Sequence, residues 1–311
     1  MPRSRGSRKG TSKGSTQQPP SIKILLDAFS VDDIRAWAAF QDKILRFHWD
    51  YYSNLAFQRS KVVDQIKSTL LEAAEGPFVF STWQRVVRHK YSLEPLSVEG
   101  SLVDPGGRFN IGEINPTQFP PFPALYIASD KKTALQEMLC QKIKTGQEQQ
   151  ALEFALASPT SIASVSLSGS IDSYINLRNP EKLQSFVDYI KGFTIPDHLI
   201  KTSKEIGSPS PQLIQNVTKL LDSLLDTNWR SWPMQLDVPH TCQIFGQIVA
   251  ETGIEGILYP SKFNERDCLA IFPQNFEEDG SYVQLDDEAP AETRVDRLDA
   301  QSWAKIQRMK V

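Results

Sequence analysis

The sequence has few of the residues and motifs on which common metal and cofactor sites depend. Its three cysteines are far apart and form no C-x-x-C pair, which argues against a zinc ribbon and a disulfide scaffold. Its four histidines are scattered without the spacing of metal ligands, so we expect no metal site. Neither G-x-G-x-x-G nor G-x-x-x-x-G-K-[ST] occurs, so both standard phosphate loops are absent.

Long apolar runs are also missing. No stretch approaches the roughly 18 apolar residues of a transmembrane helix, so we expect no contact with a membrane. The odd number of distant cysteines is typical of reduced thiols, which predicts a cytoplasmic protein. Cys242 lies close to His240, but residues two apart on a helix do not face each other, which argues against a cysteine hydrolase.

The charge of the chain is unevenly distributed. Residues 1–20 are rich in Gly, Ser, Pro and Gln and contain five basic residues and no acidic one: Arg3, Arg5, Arg8, Lys9 and Lys13. Such a composition cannot bury enough apolar surface to fold, and it predicts a disordered tail. A nucleic-acid arm and an organelle presequence are the alternatives for this tail. Because the net charge is −3, residues 21–311 carry −8, which argues against nucleic-acid binding by the folded part.

Hydrophobic periodicity predicts helices at the start of the chain and a mixture of strands and helices after it. Apolar residues recur at helical spacing after Ser30, and a second helix is expected from Ser60 to Gly76. Strands are predicted in FVFSTWQRVV, PALYIAS, SIASVSLSGSIDSYINL, EGILYPS and CLAIFP, with helices in DKKTALQEMLCQKI and HTCQIFGQIVAETG. This mixture predicts an α+β fold.

The same patterns divide the chain into parts. These are a disordered basic tail (1–20), a helical N-terminal extension (21–76), a mixed domain (77–275) with a helical insertion at about 178–235, and a polar C-terminal tail (276–311).

Polar residues with catalytic potential lie where the predicted strands begin or end. Arg85 lies in the first strand, Arg108 follows Gly106 and Gly107 in the stretch GGRFN, and Tyr126 lies in the second strand. Glu137 lies in the following helix, and Ser261 directly follows Pro260. Each has a plainer interpretation as an edge cation, turn residue, core aromatic or solvated helix face. Glycine lets a backbone or a ligand approach closely, and arginine forks onto phosphates or carboxylates.

Four stretches together resemble the RES domain family, which is named for its arginine, glutamate and serine. They are WQRVV, GS followed by GGRFN, ALYIASDKKTALQE and EGILYPSKFNERDCLAIFP, and they occur in the family's order. Phe109 stands where the family usually has tryptophan. The resemblance implies an ADP-ribosyltransferase-like core, a mixed or split β-sheet with flanking helices, so that residues 77–275 form a RES-like catalytic domain.

The resemblance also implies a function. Family members are toxins of bacterial toxin–antitoxin pairs that degrade NAD⁺ by cleaving the nicotinamide–ribose bond. NAD⁺ is then a substrate and no further cofactor is implied, while a cognate antitoxin is an implied partner. Water and phosphate both remain open as acceptors, and so does the use of NADP⁺.

The implied roles of the residues follow from the chemistry of the bond. Glu137 would stabilise the positive charge that develops on the ribose. Arg85 and Arg108 would contact the pyrophosphate, since arginine suits bidentate phosphate contact, and Gly107 would let the loop approach the dinucleotide. Tyr126 would pack against the nicotinamide. Ser261 would hydrogen-bond the substrate or orient Glu137, and the sequence does not choose between these.

Two alternative functions would use the same types of residue. A transferase would move ADP-ribose onto a protein or another macromolecule and would use the same Glu137. A non-catalytic module would bind NAD⁺ and leave it intact. Arg88, three residues beyond Arg85, is the alternative for the first arginine.

Overall fold

Helices and strands are interspersed along the chain. The computed structural model describes residues 31–139, 162–208, 211–278 and 280–309. The helices are α1 Val31–Ser60, α2 Val63–Ala73, α3 Glu99–Leu102, α4 Lys131–Leu139, α5 Gln184–Ile190, α6 Asp197–Glu205, α7 Val217–Leu224, α8 Ser231–Leu236, α9 Thr241–Glu251 and α10 Ala300–Met309. The strands are β1 Phe78–Arg88, β2 Gly106–Gly107, β3 Asn110–Ile111, β4 Leu125–Ala128, β5 Ile162–Ile171, β6 Tyr174–Asn176, β7 Gly256–Pro260, β8 Asp267–Ile271, β9 Tyr282–Leu285 and β10 Arg297–Leu298. Short 3₁₀ helices span His89–Tyr91, Pro180–Leu183 and Pro273–Asn275.

Eight strands form one mixed sheet in the order β10-β9-β5-β1-β4-β8-β7-β6. Neighbouring strands pair antiparallel except β6 and β7, which are parallel. The short strands β2 and β3 form a separate hairpin. The predicted α+β class, with a mixed sheet, flanking helices and helices at the N-terminal end, is therefore confirmed. None of the described helices combines the length and the apolar character that crossing a bilayer requires.

Both faces of the sheet are apolar and covered. One face, including Leu125, Ile127 and Leu269, packs against residues of the C-terminal segment. The opposite face, including Ala128 and Ala270, packs against α2, α5, α7 and α9. Because side chains alternate along a strand, neighbouring residues of β4 supply the two cores. This second, helix-covered face is the one that contributes to the candidate site.

The N-terminal helices are not one separate extension. By its internal contacts the chain divides into two units, 1–42 and 43–311. In the first unit, residues 31–42 begin helix α1, as the periodicity predicts. In the second, α2 buries Ile66 and Leu70 in the main core, so this part of the predicted extension belongs to the core. The tail predicted for residues 1–20 lies outside the described residues.

The region at about 178–235 contains helices α5 to α8, more than the sequence indicates. The sequence pattern predicts one helix over residues 211–229, whereas α7 is shorter and begins after Asn216, whose side chain accepts a hydrogen bond from the backbone of Lys219 at 2.9 Å. Leu220, Leu224 and Trp229 are buried in the same core as the sheet. The insertion is thus an integral layer of the domain.

The prediction of a polar tail at 276–311 is wrong for the residues that the structure describes. Strand β9 pairs with β5, β10 pairs with β9, and α10 follows. Val283, Leu298 and Trp303 are buried against the sheet. These strands have four and two residues, too short for alternation to stand out among many charged neighbours.

Candidate active site

A cleft opens between strands β1 and β4, the β2–β3 hairpin, helix α4 and the insertion. It consists of two adjoining cavities of about 170 and 400 Å³. Residues that line both are Arg85, Val86, Gly107, Tyr126, Glu137, Met138 and Arg230. Arg108 lines the smaller cavity only. Four of the six predicted site residues therefore line both cavities, a fifth lines one, and Ser261 reaches the cleft through Glu137.

A hydrogen bond joins Glu137 to Ser261 in the wall of the cleft. Asp130 caps helix α4, as predicted, by accepting a hydrogen bond from the backbone of Thr133 at 2.9 Å. This fixes the helix so that Glu137, near its C-terminal end, lines the cleft. The fully buried Ser261 donates its hydroxyl hydrogen to Glu137 Oε1 at 2.6 Å. Of the roles left open for Ser261, the structure contains the contact that orients Glu137.

Among the described residues, Arg85 hydrogen-bonds backbone carbonyls and no carboxylate. Its Nη1 donates to the carbonyl of Tyr126 at 3.2 Å and its Nη2 to the carbonyl of Ser97 at 2.7 Å. Its Nε is buried without a hydrogen-bond partner. Burial lowers the pKa of this guanidinium to about 10. Arg85 lines both cavities, whereas Arg88 lines only the larger one, so the geometry favours Arg85 as the inner arginine.

Arg108 forms hydrogen bonds within the protein that its predicted role as a phosphate ligand does not require. It is only 6% exposed, and its Nη1 donates to the carbonyl oxygens of Leu224 at 3.0 Å and Asp226 at 2.9 Å. These carbonyls lie at the end of helix α7, where backbone acceptors lack helical partners. Arg108 therefore anchors the insertion to the hairpin. Its contact with substrate phosphate stays a prediction.

The two glycines of GGRFN are explained by the protein's own packing. Gly106 has a φ of +89°, and a Cβ there would lie 2.5 Å from the backbone nitrogen of Gly112. A Cβ on Gly107 would lie 2.4 Å from the Tyr126 hydroxyl oxygen. Arg108 and Phe109 thus form the turn of a hairpin that lies directly against the Tyr126 ring.

Tyr126 and Asn110 hold this hairpin in place. The Tyr126 hydroxyl donates to Asn110 Oδ1 and accepts from the backbone of Phe109, both at 2.9 Å. Asn110 is fully buried and also accepts from the backbone of Gly107 at 2.8 Å. Burial raises the pKa of Tyr126, which keeps the phenol neutral. Because the hydroxyl is committed to the hairpin, the ring of Tyr126 is the part that remains for contact with a ligand.

Gln243 supports the hairpin beside the cleft, a role that the sequence interpretation missed. Its Nε2 lies 2.7 Å from the carbonyl oxygen of Pro105, 3.2 Å from that of Gly107 and 3.1 Å from that of Asn110. Its Oε1 accepts from the backbone of His240, which completes a capping box at the start of α9. The H-x-x-Q spacing was the available signal, since capping boxes place Gln or Glu three residues after the cap.

His240 and Cys242 do face each other, so the spacing argument against this pair is wrong. His240 precedes helix α9 as its N-cap, and its Nδ1 lies 3.2 Å from the Cys242 sulfur. Burial lowers the pKa of His240 to about 4 and raises the pKa of the Cys242 thiol to about 12. A neutral thiol beside a neutral imidazole is a poor nucleophile. The electrostatics, rather than the spacing, argue against a cysteine hydrolase.

The cleft is rich in positive charge although the chain is acidic overall. Within the part of the chain that the structure describes, five cationic side chains line its two cavities, against the two carboxylates of Asp104 and Glu137: Arg85, Arg88, Lys90, Arg108 and Arg230. Two of the five, Lys90 and Arg230, were not anticipated. In the described ranges, no group of three or more His, Cys, Asp or Glu side chains could hold a metal ion. The cleft therefore suits an anionic ligand that also presents a cationic centre to Glu137.

Comparison with known proteins agrees with the resemblance in the sequence. The RES domain matches residues 82–293, a range that contains all six predicted site residues. The comparison with curated proteins finds none that matches. Among solved structures, the chain is similar to one in the crystal structure of the M. tuberculosis MbcT-MbcA toxin-antitoxin complex. The similarity covers 79% of this chain and 97% of that one, at 14% identity and a TM-score of 0.35, a level that does not bear on activity. Since the family match covers most of the sequence, the chain belongs to the RES domain family.

Proposed function

We propose that this chain is an enzyme that degrades NAD⁺ by cleaving the nicotinamide–ribose bond, with water or phosphate as the acceptor. The observation that carries the proposal is the 2.6 Å hydrogen bond by which Ser261 orients Glu137 at the wall of a cationic cleft. A fixed carboxylate and surrounding cations match the two halves of NAD⁺, a cationic nicotinamide riboside and an anionic pyrophosphate.

The chemistry of the bond explains why so few groups suffice. Nicotinamide leaves as a neutral ring from a positively charged nitrogen, so its departure needs no general acid. The ribose then carries oxocarbenium character, as in glycoside hydrolysis. The carboxylate of Glu137 stabilises this charge, and a preorganised group is worth more than a mobile one because it needs no reorientation during the reaction. Ser261 supplies this preorganisation.

The other predicted residues bind rather than react. Arg85 contacts the pyrophosphate, since it lines both cavities and its Nη atoms, among the described residues, hydrogen-bond only neutral carbonyls. The ring of Tyr126 packs against the nicotinamide. Gly107 leaves room for that ring beside the hairpin.

Within the cytoplasm such an activity would need restraint, and we propose a toxin-like role with an antitoxin protein that covers the cleft.

The test is NAD⁺ turnover by purified protein, followed by chromatography with and without phosphate. Glu137→Gln should reduce nicotinamide release by about 100-fold or more, as removal of one preorganised stabilising group does. Glu72→Gln, an exposed change on helix α2, is the control and should leave the rate unchanged. Free ADP-ribose would identify water as acceptor, and a phosphorylated product would identify phosphate.

Two outcomes would overturn the proposal. ADP-ribose attached to an added protein or nucleic acid, without free product, would establish a transferase. NAD⁺ that binds to folded protein and stays intact would establish a binding module.

A further inference from the structure

The insertion carries an arginine into the cleft that none of the four family stretches contains. Arg230 lines both cavities, and its guanidinium carbon lies 4.5 Å from the centre of the Trp229 ring. No ion pair among the described residues involves Arg230. A half-buried cation without a carboxylate partner, in a cleft that also contains Arg85, is a candidate for ligand contact.

Hydrogen bonds, a buried side chain and a helix lie on the two sides of Arg230 in the chain. Upstream, the guanidinium of Arg108 bonds the carbonyls of Leu224 and Asp226, and the Asp226 side chain accepts from the backbone of Asn228 at 2.8 Å. The Trp229 side chain is 1% exposed. Downstream, helix α8 begins at Ser231. Arg108 therefore helps to position Arg230, because it hydrogen-bonds the backbone of Leu224 and Asp226 shortly before Arg230.

The two arginines differ in what they leave available to a ligand. Arg108 is 6% exposed and uses Nη1 on two carbonyls of the protein. Arg230 is half-buried, and its guanidinium carbon lies over the Trp229 ring, 4.5 Å from the ring centre. Among the described residues no hydrogen bond or ion pair uses the guanidinium N–H groups of Arg230, so they can donate in the fork geometry that phosphate oxygens accept.

We propose that Arg230 binds the pyrophosphate of NAD⁺, together with Arg85, and thereby takes the phosphate-binding role that the sequence suggests for Arg108. The inference rests on the proposed function in that the bound molecule is the dinucleotide. It goes beyond that function because it assigns substrate recognition to the insertion. Contact with the Trp229 ring already limits the side-chain rotamers of Arg230 in the free protein. Less conformational entropy is therefore lost on binding, which favours affinity.

The experiment measures binding and turnover separately in the full chain. Arg230→Gln and Arg230→Lys are compared with Arg297→Gln, a control outside the cleft on the edge strand β10, where the guanidinium carbon lies 3.8 Å from the centre of the Tyr282 ring and the side chain also pairs with Asp299. Calorimetry with ADP-ribose gives the dissociation constant, nicotinamide release gives KM and kcat, and thermal melting checks that each variant folds.

We expect Arg230→Gln to weaken ADP-ribose binding and to raise the KM for NAD⁺ by about tenfold or more, the effect of losing one charge-assisted hydrogen bond. The kcat should change much less, because Arg230 contacts the phosphates and not the reacting ribose. Arg230→Lys should restore part of the affinity, and Arg297→Gln should resemble the unchanged protein.

The outcomes separate this inference from the proposed function. Nicotinamide release with a KM that does not depend on Arg230 would overturn the inference alone. Binding of ADP-ribose that depends on Arg230, without any NAD⁺ cleavage, would support the inference and overturn the proposed reaction. Failure of the folded protein to bind ADP-ribose would overturn the inference, and turnover would then decide the function independently.

Discussion

The hydrogen bond between Ser261 and Glu137 allows a quantitative test of how the cleft works. Ser261→Ala removes the hydroxyl that donates to Glu137 Oε1 at 2.6 Å and accepts from the backbone of Phe263 at 3.2 Å. A hydrogen bond to a charged group contributes about 1.5–3 kcal/mol. If this energy is needed to hold the carboxylate in its reactive position, the rate falls about 10- to 150-fold, since about 1.4 kcal/mol corresponds to tenfold.

The assay is nicotinamide release at saturating NAD⁺, because an orienting role lowers kcat rather than affinity. Ser203→Ala is the matched control. Ser203 is also fully buried and its hydroxyl also donates a hydrogen bond, to the carbonyl of Ile200 at 2.9 Å, but it lies in helix α6 away from the cleft. Both variants lose a buried serine hydroxyl, so only Ser261→Ala should lose activity while their melting temperatures fall by similar amounts.

A double-mutant cycle with Glu137→Gln then tests whether Ser261 acts through Glu137. If it does, Ser261→Ala should lower the rate of the Glu137→Gln protein by much less than it lowers the rate of the unchanged protein. Two equal, multiplicative effects would mean that Ser261 contacts the substrate itself. Full activity of folded Ser261→Ala would refute the orienting role altogether.

Two further predictions concern the fold around the cleft. Gly107→Ala places a Cβ 2.4 Å from the Tyr126 hydroxyl oxygen and should lower the free energy of unfolding by about 2 kcal/mol, whereas Gly192→Ala, which meets no atom within 4 Å, should change it little; urea unfolding measures both, and equal midpoints would contradict the packing argument. Burial lowers the pKa of His240 from 6.5 to about 4, so the unfolded chain binds the proton first as the pH falls. Between pH 7.5 and 5 this should cost about 2 kcal/mol of stability, and His240→Asn, which keeps a side chain suited to the N-cap, should remove that part of the pH dependence in urea unfolding at the two pH values.

The elements of the fold could be predicted where local patterns are long. Strand β1, whose eleven residues are rich in β-branched and aromatic types, and helix α9, also with eleven residues, were recognised with nearly correct ends. The C-terminal strands β9 and β10 could not be recognised, because four and two residues are too few for a period to appear. Strand β9 pairs with β5, which lies more than a hundred residues earlier in the chain, and β10 pairs with β9.

The site could be predicted in composition but not in geometry. The family stretches indicate Arg85, Glu137 and Ser261, and the structure brings them to one cleft. The contact between Ser261 and Glu137 is a hydrogen bond between residues that are 124 positions apart in the chain, and no local sequence pattern predicts it. The reason for the glycines was also inaccessible, since the atoms that exclude a Cβ at Gly107 belong to Tyr126.

The link between Arg108 and the insertion explains why these two parts of the chain depend on each other. A guanidinium that is 6% exposed would cost several kcal/mol without hydrogen-bond acceptors. Two of its acceptors are the carbonyls of Leu224 and Asp226, which have no helical partner at the end of α7. Each side satisfies polar groups that the other would leave buried and unpaired. The insertion is therefore part of the cleft wall, and a substrate held by Arg230 would be held by a segment that Arg108 anchors.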